Sequence, residues 1–328
     1  MKKFKIFPIV FMVFALLLAG CNAGPTGGKE ATDKKAEGSG DEKVKVAMIL
    51  KTLSSPFWVA MEEGIKEEAE KLGVEVEILA AQSEDDLQGQ LRIFEDLLIK
   101  DYDGIGFAPL SPVNLIQPAV NAYKDGIPTV NIDEKVDMDE LKNAGGNVNA
   151  FVTTDNVKVG EQAGQFIVDA IKEGKVAIVE GKSGNASGEA RRQGAANAFE
   201  AAEGIELVAS QPADWDRNKA LDVVSNMIQR YPDLKAIYAA NDTMALGALQ
   251  AVQNAGKQDQ IIVVGTDGQP EAIESVKNGG LTATVAQDSA EIGRESLRLL
   301  VEAVKENKVI TEGVEPEIVT VPSYIVSE

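Results

Sequence analysis

The sequence predicts an α/β protein built from two doubly wound, parallel-sheet domains. Short, nearly continuous aliphatic segments alternate with stretches of helical periodicity almost throughout. Uninterrupted aliphatic strands belong to parallel sheets covered on both faces. The 328 residues also exceed the ~100–200 typical of one domain.

VKVAMIL (44–50) reads as the first strand, and Pro56 opens a helix with Met61, Ile65, Ala69 and Leu72 on one face. A strand over 74–79, a helix over 84–100, the strand GIGFA (104–108) and IPTVNI (127–132) complete the first set. FVTT (151–154) and a helix from about Asn156 begin the second. Its strands are KVAIVE (175–180), IELVAS (205–210), LKAIYAA (234–240) and IIVVGT (261–266). Ala220, Val223, Val224, Met227 and Ile228 form a buried helical stripe, ended by Tyr231-Pro232.

Ligands of open α/β sheets bind beyond the carboxyl ends of the strands. Polar and aromatic residues collect there: Lys51, Phe57 and Trp58, Asp133 and Glu134, Trp215, Asn241 and Asp242, Asp267 and Gln287. Arg191 and Arg192 begin the helix after the 175–180 strand. Asp or Asn at one strand end is ordinarily a helix cap, and Asp155 and Asp242 are assigned to that role. The whole set, drawn from matched positions in both halves, points to a cleft. Its mixture of cations, carboxylates, amides and rings suits a sugar, whose hydroxyls donate and accept and whose C–H faces pack on aromatic planes. Trp215, flanked by Asp214 and Asp216, is assigned to stacking. Trp58 shares a helical face with Met61 and Ile65, so core packing is an equal reading there.

Two motifs fail on spacing. Gly181-Lys182-Ser183 lacks the earlier glycine of a phosphate loop, with Val176 in its place. Asp214-x-Asp216-x-Asn218 opens like a calcium loop, but Lys219 replaces its glycine and Ser225 its glutamate. No metal or other cofactor is expected. With His at 0, Ser-His-Asp and Cys-His catalysis and the usual zinc sites lose their central residue, so the chain is read as a binder rather than an enzyme. Net charge is −20, which argues against nucleic acid as a partner.

Lys2, Lys3 and Lys5, a short apolar run from Ile6 to Ala19, and Leu18-Ala19-Gly20-Cys21 read as a secretory leader over 1–20. That last tetrad is similar to the lipobox of bacterial lipoproteins and makes Cys21, the only cysteine, a lipidation site. The stretch that follows lacks Val, Ile, Leu, Met and aromatic residues from Asn22 to Lys43, so 21–43 is expected to be a flexible tether. The expected location is extracytoplasmic, at a membrane through the lipid.

KTLSSPFW, VNIDEKVDMD, AFVTTDN, EGKSGNASGEARR, ASQPADWDR, AIYAANDTMALG, VVGTDG and TATVAQ resemble the ribose- and allose-type sugar-binding proteins of ABC transporters, from Val44 to the C-terminus. The resemblance implies a type I periplasmic binding protein fold, a Venus flytrap with three crossovers placed near Thr154, Gln287 and Val319. Residues 44–153 and 288–318 would form the N-terminal lobe, and 154–287 and 319–328 the C-terminal lobe. It also implies a monomer that closes on one monosaccharide and delivers it to an ABC permease. Lys51, Phe57, Asp133, Arg191, Trp215, Asn241, Asp267 and Gln287 match the family's sugar-binding positions, Arg191 being aligned ahead of Arg192 because Gly194 follows it by three. Ser55 stands where the family usually has a sugar-contacting Asn. Ala108, Glu134 and Thr266 replace the Asn, Arg and Phe of ribose binders, which favours a hexose such as D-allose. Ribose, another hexose, or a sensor that presents sugar to a chemoreceptor or kinase are the rival readings.

Overall fold

A computed structural model of the chain describes residues 43–308, 310–311 and 313–327. The expected leader, Cys21 and all of the tether except Lys43 lie outside these residues.

The first lobe opens with β1 (Lys45–Thr52), α1 (Pro56–Leu72), β2 (Glu75–Ala81), α2 (Leu87–Leu98) and β3 (Gly104–Phe107). It continues through α3 (Ile116–Lys124), β4 (Thr129–Ile132), α4 (Met138–Asn143) and β5 (Ala150–Thr153). The chain then crosses to the second lobe: α5 (Asn156–Ile171), β6 (Gly174–Glu180), α6 (Ala186–Glu200), β7 (Ile205–Pro212), α7 (Arg217–Arg230), β8 (Leu234–Ala239), α8 (Asp242–Asn254), β9 (Ile262–Asp267), α9 (Pro270–Lys277) and β10 (Ala283–Gln287). After β10 it returns to the first lobe as α10 (Ser289–Lys305) and β11 (Glu317–Thr320), and β12 (Ser323–Ser327) ends in the second.

Each lobe holds one six-stranded sheet, ordered β11-β5-β4-β3-β1-β2 and β12-β10-β9-β8-β6-β7. Successive residues of a strand face opposite sides, so a strand buried on both faces must feed two cores. In β1, Val46, Met48 and Leu50 pack under α1 and α10, while Ala47 and Ile49 pack with Phe94 and Phe107 on the other side. In β6, Ala177 and Val179 join one core, and Val176 and Ile178 the other. This double burial explains why the strands read as continuous aliphatic runs.

Two crossovers fall at Thr154–Asp155, between β5 and α5, and at Gln287–Asp288, between β10 and α10. The third differs from the expectation near Val319. Val319 and Thr320 still pair with Val152 and Thr153 of the first lobe, so the chain leaves that lobe only at Val321–Pro322. Pro322 cannot donate to a ladder and marks the break. β12 then pairs antiparallel with β10, so the second sheet is parallel except at this edge.

Candidate functional site

The carboxyl ends of both sheets face one cavity of about 390 Å³ between the lobes. That lies at the small end of the ~300–1,000 Å³ usual for ligand pockets, which suits a single small polar molecule. Lys51, Ser55, Phe57, Trp58 and Asp133 line it from the first lobe, and Arg191, Trp215, Asn241 and Asp267 from the second. Gln287 does not line it. Its Nε2 donates to Asp267 Oδ1 at 2.8 Å from behind.

Lys51, next to last in β1, has its ammonium buried 2.8 Å from Glu134 Oε2. Burial opposes its charge, but Glu134, Glu84 and Asp133 outweigh that and hold it above the usual lysine value. Ser55 is the N-cap residue of α1, ahead of Pro56, and its hydroxyl makes no cap bond. Phe57 and Trp58 meet edge to face at 5.2 Å. Both belong to the first-lobe core as well as to the cavity wall.

Arg191 is positioned by a close crossing of α5 and α6. A Cβ on Gly160 would stand 2.0 Å from the Arg191 carbonyl oxygen, and one on Gly194 2.0 Å from that of Val157. The guanidinium is then tied by Nε to Asn156 Oδ1 and by Nη1 to the Ala240 carbonyl, both at 2.8 Å. Nη1 also approaches Asp267 Oδ1 at 3.4 Å. Arg192 turns away and pairs with Glu189 at 3.3 Å.

Asp133 and Asp267 are both buried beside this guanidinium. Burial pushes the Asp133 carboxyl up to about 7, against the pull of Arg191. Asp267 is likewise raised by burial, to about 6, with Arg191 and Gln287 opposing. Asp133 Oδ1 and Gln287 Oε1 are buried acceptors without a partner among the described residues. Such atoms cost ~1–3 kcal/mol unless a donor meets them. A ligand hydroxyl at Asp133 would do so.

Trp215 sits in the turn before α7, which Asp216 caps by accepting from the Lys219 amide. Its indole rests on Gly181, where a Cβ would stand 2.0 Å from the ring, and near Gly188, at 3.0 Å. Nε1 donates to Asn185 Oδ1 at 3.0 Å. The failed phosphate-loop motif therefore has another use: Gly181 makes room for a ring. The failed calcium motif resolves similarly, with Asp214 paired to Lys219 at 2.9 Å. Six non-glycine residues among those described have positive φ, and four of them line the cavity: Asp133 (55°), Asp214 (53°), Trp215 (63°) and Asp267 (121°). Backbone strain of this kind gathers at sites whose surroundings over-determine it.

Several expectations change. Asn241, not Asp242, caps α8, its Oδ1 accepting from the Met244 amide at 2.8 Å. It lines the cavity too, because only one of its polar atoms is used in the cap. Asp242 is fully buried, accepting from the Gln269 amide and the Thr284 hydroxyl. Desolvation and the neighbouring Asp267 raise its carboxyl well above the usual range. Ala108 and Thr266 do not reach the cavity; Thr266 bonds the Tyr238 hydroxyl at 3.0 Å inside the second lobe. Sequence reasoning missed Glu84, Asp85, Lys182, Ser187 and Thr243, which also line the cavity. Ser83-Glu84-Asp85 follows β2, so the strand-end rule would have found that group.

The lobes also touch directly around the cavity. Lys182 of the second lobe donates to the Glu84 carbonyl at 2.7 Å and pairs with Asp85 of the first. Glu134 of the first lobe accepts from the Ser187 hydroxyl at 2.7 Å. This is a closed arrangement of two lobes over a polar pocket.

A family model described as periplasmic binding protein domain matches residues 46–308. The chain belongs to the periplasmic binding protein family. Among curated relatives of this family, the D-allose-binding periplasmic protein of Escherichia coli is 60% identical over 86% of this chain and 91% of its own length. The ribose import binding protein of Bacillus subtilis is 35% identical over 88% of this chain and 90% of its own. Among solved structures, an ABC transporter periplasmic solute-binding protein from Actinobacillus succinogenes with bound D-allose matches at TM-score 0.81 and 31% identity. That match covers 87% of this chain and 98% of the other.

Proposed function

We propose that this protein is an extracytoplasmic receptor that closes its lobes on one monosaccharide, D-allose, and delivers it to the permease of an ABC importer. The observation that carries the reading is the pairing, in one small cavity, of the Trp215 ring with the buried Asp133–Arg191–Asp267 group. The apolar face of a pyranose would stack on the indole while its hydroxyls donate to the carboxylates and accept from the guanidinium. Each buried polar group that needs a hydroxyl disfavours a sugar lacking it. The 60% identity to a D-allose-binding relative supports allose over ribose. Cys21 would carry the lipid that holds the receptor at the membrane, with 22–43 as its tether, and the receptor would act as a monomer.

The test is titration of a chain starting near Asp41 with D-allose, D-ribose, D-glucose and D-galactose by tryptophan fluorescence and calorimetry. Tight one-to-one binding of allose, weaker ribose, and loss of binding in Trp215→Ala is the expected result. Equal or better ribose binding would reassign the sugar. For the anchor, Cys21→Ala should release the protein from membranes of expressing cells.

A further inference from the structure

The N-terminus of α6 is capped by the wrong residue. Asn185 occupies the N-cap position with extended backbone (φ −79°, ψ 126°), and Asn is among the preferred capping residues there. Its side chain makes no cap bond. The amide at the second helical position, Ser187 N–H, is instead accepted by Glu134 Oε1 at 3.1 Å, from the opposite lobe. Oε2 of the same carboxylate takes the Ser187 hydroxyl at 2.7 Å and the Lys51 ammonium at 2.8 Å. Released from capping, the Asn185 side chain spans both lobes. Nδ2 donates to the Leu110 carbonyl of the first lobe at 3.0 Å, and Oδ1 accepts from Trp215 Nε1 at 3.0 Å. Leu110 offers only an acceptor and the indole only a donor, so one orientation of the amide satisfies both.

We propose that lobe closure exchanges the cap of α6, and that this exchange makes Asn185 the positioning residue for the Trp215 ring. Glu134 arrives from the first lobe and takes over the helix N-terminus, where the helix dipole favours its negative charge. Asn185 then swings onto Leu110 and Trp215. On opening, Glu134 and Leu110 depart together, Asn185 returns to its own cap, and the indole loses its partner. The ring is therefore fixed only when the lobes meet. Burial works against the Glu134 charge, but Lys51 and Ser187 outweigh it and keep the carboxylate ionised. The inference rests on the reading of Trp215 as the sugar's stacking surface.

The test follows the indole N–H of Trp215 by nitrogen-15 NMR; the chain has 2 tryptophans, and a Trp58→Phe variant assigns them. In wild type, D-allose should protect this N–H from solvent exchange. Glu134→Ala, in the other lobe and with no bond to Trp215, should speed that exchange by about fivefold or more, the equivalent of one lost cap. Asn185→Ala should do the same, and combining the two should add little. Should burial of an unpaired Lys51 keep Glu134→Ala from folding, Glu134→Gln should shift exchange in the same direction by less. If Asn185→Ala changes exchange while neither Glu134 variant does, the cap exchange is overturned. If the two effects multiply independently, it is overturned as well. A wild type that ignores allose would sink the sugar assignment alone, and the Glu134 comparison is then read with whichever of D-ribose, D-glucose or D-galactose protects the N–H.

Discussion

Arg191 Nη1 stands 3.4 Å from Asp267 Oδ1, with both side chains buried and with Gln287 Nε2 bonded to that same oxygen at 2.8 Å. One carboxylate oxygen therefore answers to α6 and to the crossover after β10. The pair sits where the second lobe hands the chain back to the first. Anything that disturbs it reaches both the pocket and the hinge.

Arg191→Lys should lower D-allose affinity by about 2 kcal/mol or more, roughly thirtyfold, because a lysine cannot reproduce the fork held by Asn156 and Ala240. Calorimetry with circular dichroism as the folding control measures this. An affinity within a factor of a few of wild type would remove Arg191 from the site.

The pH response has a defined sign. Asp133 is raised to about 7 and Asp267 to about 6 from ordinary values of 3.8. Each raised carboxyl stabilises the sugar-free closed protein below about pH 4, and that contribution is lost as pH rises through 6 and 7. Asp133→Asn, which mimics the protonated form, should therefore raise Tm relative to wild type at pH 8 and lose that advantage near pH 4. Sugar hydroxyls donate to the ionised form, so binding should release protons near pH 6–7 and tighten from pH 5 to 8. Calorimetry in two buffers of different ionisation enthalpy reads the proton count. Proton uptake would contradict the assignment of Asp133 as an acceptor.

Gly181→Ala should damage binding almost as much as Trp215→Ala, because the new methyl would stand 2.0 Å from the indole. The ring must move, while circular dichroism should report an intact fold. Gly188→Ala, at 3.0 Å, should cost less. Unchanged fluorescence titration in Gly181→Ala would show that the ring does not need this seat.

Lys182 joins the lobes at the cavity rim, partly exposed, and its partner Asp85 is mostly in solvent. Exposed pairs contribute little and are screened by salt. Lys182→Ala should weaken binding by less than about fivefold, and the difference should fade at high salt. A larger, salt-resistant loss would place Lys182 among the sugar's ligands.

Much of this was readable in the chain. Double-sided burial leaves an unambiguous aliphatic run, so β1, β6, β8 and β9 were found close to their true ends. The strand-end rule reached Lys51, Asp133, Trp215 and Asp267 because those residues lie at, or within three positions of, the carboxyl ends of strands. It could not assign Asn241 and Asp242 their roles, since both are capping residues and a shift of one position decides which side chain turns inward. Asn185 and Ser187 were illegible for another reason, and Glu134, though marked at its strand end, gave no sign of its partners across the cleft. Their contacts join residues 53 and 75 positions apart, and no local pattern records a partner at that distance. The third crossover lies beyond Val319 because β11 keeps its pairing with β5 through Thr320, and the resemblance that placed it carries no record of that register.

The positive-φ residues of the pocket have a consequence for anyone engineering this protein as a sugar sensor. At Asp133, Asp214, Trp215 and Asp267 the backbone conformation is one that glycine adopts without penalty. A selection for heat resistance alone would reward glycine at each, and three of those changes would delete a carboxylate and the fourth the ring. Hardening the scaffold by blind screening would thus steer it towards a sturdier protein that has forgotten its sugar. Any such library has to be sorted on ligand response as well as on survival.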